Sequence, residues 1–215
     1  MPPMKFIPIL EETGLILEVG EWVIARACRQ ARLWQEQGLP PLRIAVNLSP
    51  RQFQQRDLAK RIRGIIDQPD FKPEYLELEI TESMVMQNVD RAIATLEELR
   101  RIGVRIAIDD FGTGYSSLAV LKRFPVDCLK VDRSFVRDIP DDADDMAITR
   151  SVIALAHSMG LSVVAEGVET EAQRSFLIET GCDEMQGFLF SKPLPAAELA
   201  ERVLGHLQAT TALAA

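Results

Sequence analysis

In Val104-Arg105-Ile106-Ala107-Ile108-Asp109-Asp110-Phe111-Gly112-Thr113-Gly114-Tyr115, a short β-branched run ends in two adjacent carboxylates and then in a glycine-bearing loop. This pattern predicts a strand that delivers charge to the end of a sheet. Successive strand residues point to opposite faces, so one acid is expected to face inward and the other to belong to the loop. Two carboxylates within ~4–6 Å repel unless something positive sits between them, and a divalent cation is the usual solution. Taken alone, the pair also fits a solvated Asp-Asp turn before glycine. Comparison with the other strand ends separates the two readings.

Outward from this stretch, apolar runs with polar ends recur. Arg43-Ile44-Ala45-Val46-Asn47 ends in an amide, and Tyr75-Leu76-Glu77-Leu78-Glu79-Ile80 alternates, with acids at 77 and 79, before Thr81-Glu82-Ser83. Asp127 to Asp132 contains Lys130, Ser162 to Gly167 ends at Glu166 with Glu169 beyond it, and Asp183 to Gly187 contains Gln186. Between these runs the spacing predicts helices. An interrupted one extends from Pro8 to about Gln37, broken at Gly14 and Gly20, and others run from Ser49-Pro50 to about Asp67, Val89 to Arg101, Met146 to Met159, Thr170 to Glu179 and Ala196 to Leu207. Gln68-Pro69-Asp70 reads as a loop and Ser116 to Arg123 as an amphipathic turn or helix. Pro140 to Asp145 reads as an acidic helix N-terminus. The expected fold is α/β, with about six short parallel strands joined by helical crossovers in one domain over residues 1–215. In such folds functional groups collect beyond the carboxyl ends of the strands.

The terminal groups are Asn47, Glu79 with Glu82, Asp109 with Asp110, Lys130 with Asp132, Glu166 with Glu169, and Gln186. Oxygen donors without His or Cys partners favour Mg²⁺ or Mn²⁺ over Zn²⁺. Phosphate-ester hydrolysis with two ions about 3.5–4 Å apart suits such a rim and requires a carboxylate shared by both, a role that fits Asp109. Lys130 either stands beside the attacking water or phosphate, or pairs with Asp109 or Asp110.

Composition narrows the partners. The 215 residues carry 24 Lys+Arg against 32 Asp+Glu, a net charge of −8, which gives no electrostatic footprint for DNA or long RNA. A small phosphate ester held through metals remains compatible. Cys28, Cys128 and Cys182 show no Cys-x-x-Cys spacing and sit among apolar residues, as expected for reduced thiols in a cytoplasmic protein. No apolar run reaches the ~18 residues that read as a membrane span.

Together these segments resemble the EAL domain family, cyclic-di-GMP-specific phosphodiesterases built on a (β/α)8 TIM-like barrel. The likeness runs from about Phe6 to Val203, through Phe6 to Ile16, Asn47-Leu48-Ser49, Glu79-Ile80-Thr81-Glu82-Ser83, Asp109 to Gly114, Leu129-Lys130-Val131-Asp132, Ala165-Glu166-Gly167-Val168-Glu169 and Gln186-Gly187. The resemblance implies a two-metal site, Mg²⁺ or Mn²⁺, that opens cyclic-di-GMP to linear pGpG. It assigns Asn47, Glu79 and Asp109 to one ion, and Asp109, Asp110 and Glu166 to the other. Lys130 then positions the water, Glu166 is also a candidate general base, Glu82 braces the loop after Asp110, and Gln186, Asp132 and Glu169 lie at the rim.

The family's Glu-Ala-Leu motif, which supplies a further metal-ligand glutamate, lies upstream of the segment matching Phe6 to Ile16, and this sequence starts after it. The expectation is therefore an incomplete barrel, about six of eight strands, with open edges near Ile44 and Met185 that promote self-association. Two functions follow as expectations: a phosphodiesterase-type domain, or a catalytically impaired cyclic-di-GMP-binding or regulatory module. A sensory or GGDEF-type domain in a parent protein is a further expected partner.

Overall fold

The computed structural model describes residues 2–67, 71–114 and 118–213. Gln68-Pro69-Asp70, Tyr115 and the start of the predicted Ser116 turn lie outside them. Six strands form one parallel sheet in chain order: β1 (Ile44–Asn47), β2 (Leu76–Thr81), β3 (Arg105–Phe111), β4 (Cys128–Val131), β5 (Ser162–Ala165) and β6 (Glu184–Met185). Each strand pairs with the next, which leaves β1 and β6 as the two edges of an incomplete barrel. The open edges thus fall where the sequence places them.

Strand alternation builds two environments. Leu76, Leu78 and Ile80 of β2, Ile106 and Ile108 of β3, Leu129 and Val131 of β4, and Val163 and Ala165 of β5 all join the main core beneath the helices. Full burial of each such aliphatic side chain is worth about 1.5–3 kcal/mol, so the outward set fixes the register. The opposite set faces the barrel interior. There Ala107, Cys128 and Val164 form a small apolar cluster, and charged residues lie above and below it along the strands.

The helices are α1 (Pro3–Thr13), α2 (Ile16–Glu36), α3 (Pro50–Phe53), α4 (Leu58–Ile66), α5 (Glu82–Met86), α6 (Val89–Arg101), α7 (Leu118–Leu121), α8 (Ala143–Ser158), α9 (Glu171–Thr180) and α10 (Ala196–Leu213). Gly14, at φ 79°, ends α1 as expected. Gly20 does not break the chain: it sits inside α2 because Gln52 packs against it, so that a Cβ there would lie 2.0 Å from Gln52 Nε2. The helix expected from Ser49 to Asp67 is two. Ser49 and Gln52 form a reciprocal capping box that starts α3, the Arg91 guanidinium takes the Gln54 carbonyl, and α4 begins anew after Asp57. The strands expected from Asp127 to Asp132 and from Asp183 to Gly187 are shorter, since Asp127 spends its side chain on the Ile106 N–H and the chain leaves the sheet after Met185. Asp142 caps α8 through the Asp144 and Asp145 N–H groups, which accounts for the acidic run before it.

Trp34 of α2 packs on Leu39 and Ala200, and its indole N–H donates to the Ala196 carbonyl at 3.0 Å. The last helix is thereby docked against α2 across the gap between β1 and β6. Among the described residues no helix is long and apolar enough to cross a membrane.

Candidate active site

The carboxyl ends of the strands converge on one ammonium. Lys130 Nζ lies 2.6 Å from Glu79 Oε1, 3.2 Å from Asp109 Oδ1 and 2.5 Å from Glu166 Oε1. These acids come from β2, β3 and the end of β5, while Lys130 rises from β4. All sit on the inward face by strand alternation, and Lys130, Glu79 and Asp109 are buried. Asn47 completes the row: it is in register with Glu79, and its Nδ2 donates to Glu79 Oε2 at 2.8 Å. The ion-pair reading of Lys130 is therefore realised, with a larger set of acids than adjacency in sequence indicates.

The acidic pair owes its placement to a bulge. Ile108 is in register with Leu129 and Phe111 with Val131, so Asp109 and Asp110 together oppose the single residue Lys130. Asp109 turns inward, and its Oδ1 accepts the Asp110 N–H at 3.0 Å. Asp110 holds φ 55°, a left-handed conformation that Asp tolerates better than most side chains. Its carboxyl is half-buried beside Asp132, which in turn accepts the Ser134 N–H at 2.9 Å. Asp109 faces inward, as alternation predicts for one of the pair, whereas Asp110, expected in the loop, lies within β3 at the bulge.

Around this centre the remaining groups fall as follows. Glu82, at the start of α5, accepts the Gly112 N–H at 3.0 Å through Oε2, and Oε1 lies where a Cβ on Gly114 would meet it at 2.6 Å. It thus props the loop behind Asp110. Glu169 pairs with Arg133 at 3.1 Å and lies farther out. Gln186 is exposed just after β6, held by its backbone to Ala165 and Val168, while Gly187 lets that turn press on Val168, whose carbonyl would be 2.0 Å from a Cβ. Sequence reading passed over a second inward layer, Arg43, Glu77, Arg105 and Glu184. The period-2 alternation held the signal for it, because Glu77 and Arg105 share faces with Glu79 and Asp109.

The family model of the EAL domain matches residues 1–193. This chain belongs to the EAL domain family. It is 48% identical over 197 residues to the bifunctional diguanylate cyclase/cyclic di-GMP phosphodiesterase MucR of Pseudomonas aeruginosa, covering 92% of this chain and 29% of that protein. It is 40% identical over 196 residues to the cyclic di-GMP phosphodiesterase PdeR of Escherichia coli, covering 91% and 30%. The EAL domain also matches the solved PaMucR phosphodiesterase in complex with c-di-GMP, with TM-score 0.89 and 48% identity over 93% of this chain and 81% of that one. The chain spans less than a third of the length of these curated relatives.

Electrostatics of the EAL site favour a further cation. Burial raises the Glu79 and Glu166 carboxyls above their ordinary value despite Lys130, since one ammonium serves several acids. Burial, then Asp109 and Asp132, pushes Asp110 up to about 6. Burial acts to lower Lys130, but Glu79, Glu166 and Asp109 outweigh it and hold the ammonium above its ordinary value. Among the described residues no three His, Cys, Asp or Glu side chains are spaced as a ready metal cage, since the acids gather on Lys130. The donor set of carboxylates and an amide, together with its surplus of negative charge, fits a hard divalent ion.

A pH dependence follows. Asp110 has a folded value of about 6 against an ordinary 3.8, so between these values the folded chain holds a proton that the unfolded chain has released. Stability from this group is full below 3.8 and is lost as pH rises through about 6. In chelator, thermal melting from pH 4 to 7 is expected to fall across that window, and Asp110→Asn is expected to flatten the fall.

Proposed function

We propose that this chain is a cyclic-di-GMP phosphodiesterase-type EAL domain, residues 1–215 acting as one domain, that hydrolyses the cyclic dinucleotide to linear pGpG in bacterial second-messenger signalling. The observation that carries the reading is the convergence of Asn47, Glu79, Asp109, Glu166 and Lys130 from successive strand ends. Its relatives' names, and the c-di-GMP held in the PaMucR structure, support the substrate class.

Asn47, Glu79 and Asp109 would hold one Mg²⁺ or Mn²⁺ ion, and Asp109, Asp110 and Glu166 the other. When bound, such ions activate water and neutralise the charge that develops on a phosphodiester. The protein groups do the positioning. Lys130 orients the attacking water or a phosphate oxygen through its ammonium, and Glu166 is placed to accept the water's proton. Glu82 keeps the Asp110 loop closed, while Gln186, Asp132 and Glu169 form the rim that meets the nucleotide. The setting is the cytoplasm, with a sensory or GGDEF-type domain as partner in a parent protein. The chain self-associates through its open edges: β1 lies beside an apolar groove of about 540 Å³ lined by α1 and α2, which offers a strand edge with side-chain pockets.

A second reading, a cyclic-di-GMP-binding or regulatory module, is favoured by Lys130 occupying the centre of the acids. Chromatographic detection of pGpG with Mg²⁺ or Mn²⁺, run beside binding titrations in Ca²⁺, separates the two. Product that appears with the divalent ion and disappears in chelator is the expected result. Tight binding without pGpG would leave only the binding module.

A further inference from the structure

Beneath the Lys130 layer lies a second charged belt. Glu77, with its side chain 5% exposed, accepts from Arg105 Nε at 3.3 Å and lies 3.4 Å from Arg43 Nε. Arg43 continues through Nη2 to both carboxylate oxygens of Glu184, 2.6 Å from Oε2, while Arg105 Nη2 reaches Ser162 Oγ at 3.4 Å. The belt therefore runs from β5 through β3 and β2 to the residue before β1, and then across to β6. Its last link joins the two strands that have no ladder partner on their outer sides.

We propose that Arg43 and Glu184 form a clasp that fixes the separation of the barrel's two free edges, and so positions Asn47 against Gln186 across the cleft between them. That cleft, about 530 Å³, is lined by Arg43, Glu77, Glu79, Lys130, Glu184 and Gln186, so the clasp spans it beside the proposed site. Five strand ladders set the curl of the sheet but none closes it. Trp34 and Ala196 link the helices outside, whereas Arg43 and Glu184 link the strands themselves. Glu184 is 48% exposed on its side chain, and an isolated pair at that exposure contributes little. Arg43 is different because the buried Glu77 holds its other side and pre-orients the guanidinium for a two-oxygen contact. Asn47 lies four residues beyond Arg43, and Gln186 two beyond Glu184, so a change in edge separation is carried up short stiff strands to the rim.

The positioning role of the pair for a ligand rests on the function proposed above; the clasp does not. Hydrogen exchange by mass spectrometry on the full chain tests the clasp. Glu184→Gln is expected to speed exchange of the β1 amides, on the opposite edge, about three- to tenfold, and Arg43→Gln to do the same to residues 184–186. The double variant is expected to match Arg43→Gln, since that single already removes the Arg43–Glu184 link. Glu184→Asp, which keeps the charge, is expected to restore most of the protection. Effects confined to the substituted edge, or additive effects, overturn the clasp. Cyclic-di-GMP titration in Ca²⁺ is expected to show weaker binding for both Gln variants, by about tenfold. Coupled exchange with unchanged affinity overturns the positioning role, and a wild-type chain that fails to bind overturns the ligand assignment while the exchange result stands.

Discussion

Lys130→Met is expected to destabilise the metal-free protein by about 3–5 kcal/mol at neutral pH, the cost of leaving buried charges without their partner. The thioether fills much of the alkyl stem's volume, so packing is nearly conserved and the loss reports the charge. Lys130 is 4% exposed on its side chain, and the carboxylates it faces on Glu79 and Asp109 are 7% and 12% exposed, too dry for water to replace it. The loss is expected to shrink toward acid. Glu79 and Glu166 already take up protons above their ordinary 4.5, and without the ammonium their affinity for protons rises further. The folded variant then binds more protons than the unfolded chain above pH 4.5, so its stability falls as pH rises through that window. Added Mn²⁺ is expected to recover stability in the variant more than in the wild type, because a cation gains the full attraction of acids that Lys130 otherwise shares. Urea unfolding in chelator and in Mn²⁺, at two pH values, provides the check. A variant as stable as wild type in chelator at neutral pH would show that these acids are not held by the ammonium.

The legible part of this EAL domain is the part that periodicity encodes. Alternation in Tyr75 to Ile80 and Val104 to Ile108 sets which side chains face inward, and the acids ending those runs land on one rim. The start of α9 at Thr170 is legible in the sequence, whereas α8 begins at Ala143 rather than Met146, because the Asp142 side chain takes the Asp144 and Asp145 N–H groups. Three features were harder to see, each because it depends on contact across the fold. Gly20 reads as a helix break in sequence, but the reason for a glycine there is Gln52, 32 residues away. The bulge that sets Asp109 and Asp110 together opposite Lys130 is a register slip between two strands, invisible in either alone. Arg43, Arg105 and Glu184 carry no joint signal in the sequence, since Glu77 links the two arginines and Arg43 links Glu184 only in the folded sheet.

The bulge also allows charge to be separated from shape at Asp109. Asp109→Asn keeps an oxygen to accept the Asp110 N–H, now 3.0 Å from Oδ1, and so preserves the left-handed turn that aims Asp110. It removes one of the acids competing for Lys130, so stability in chelator is expected to stay within about 1 kcal/mol of wild type or to rise. Function is expected to respond in the opposite direction. On the proposed reading, Asp109 is the carboxylate common to both ions, and an amide oxygen has neither the charge nor the capacity to bridge them. Hydrolysis is then expected to drop by about a thousandfold or more, with Mn²⁺ binding by electron paramagnetic resonance weakened in parallel. Asp109→Ala is expected to lose activity as well, but with a lower melting temperature, because the Asp110 N–H loses its acceptor. The contrast between the two variants separates the structural duty of Asp109 from its chemical one. An Asn variant that hydrolyses cyclic-di-GMP within about tenfold of wild type would remove Asp109 from the bridging position and leave the bulge as a purely architectural feature.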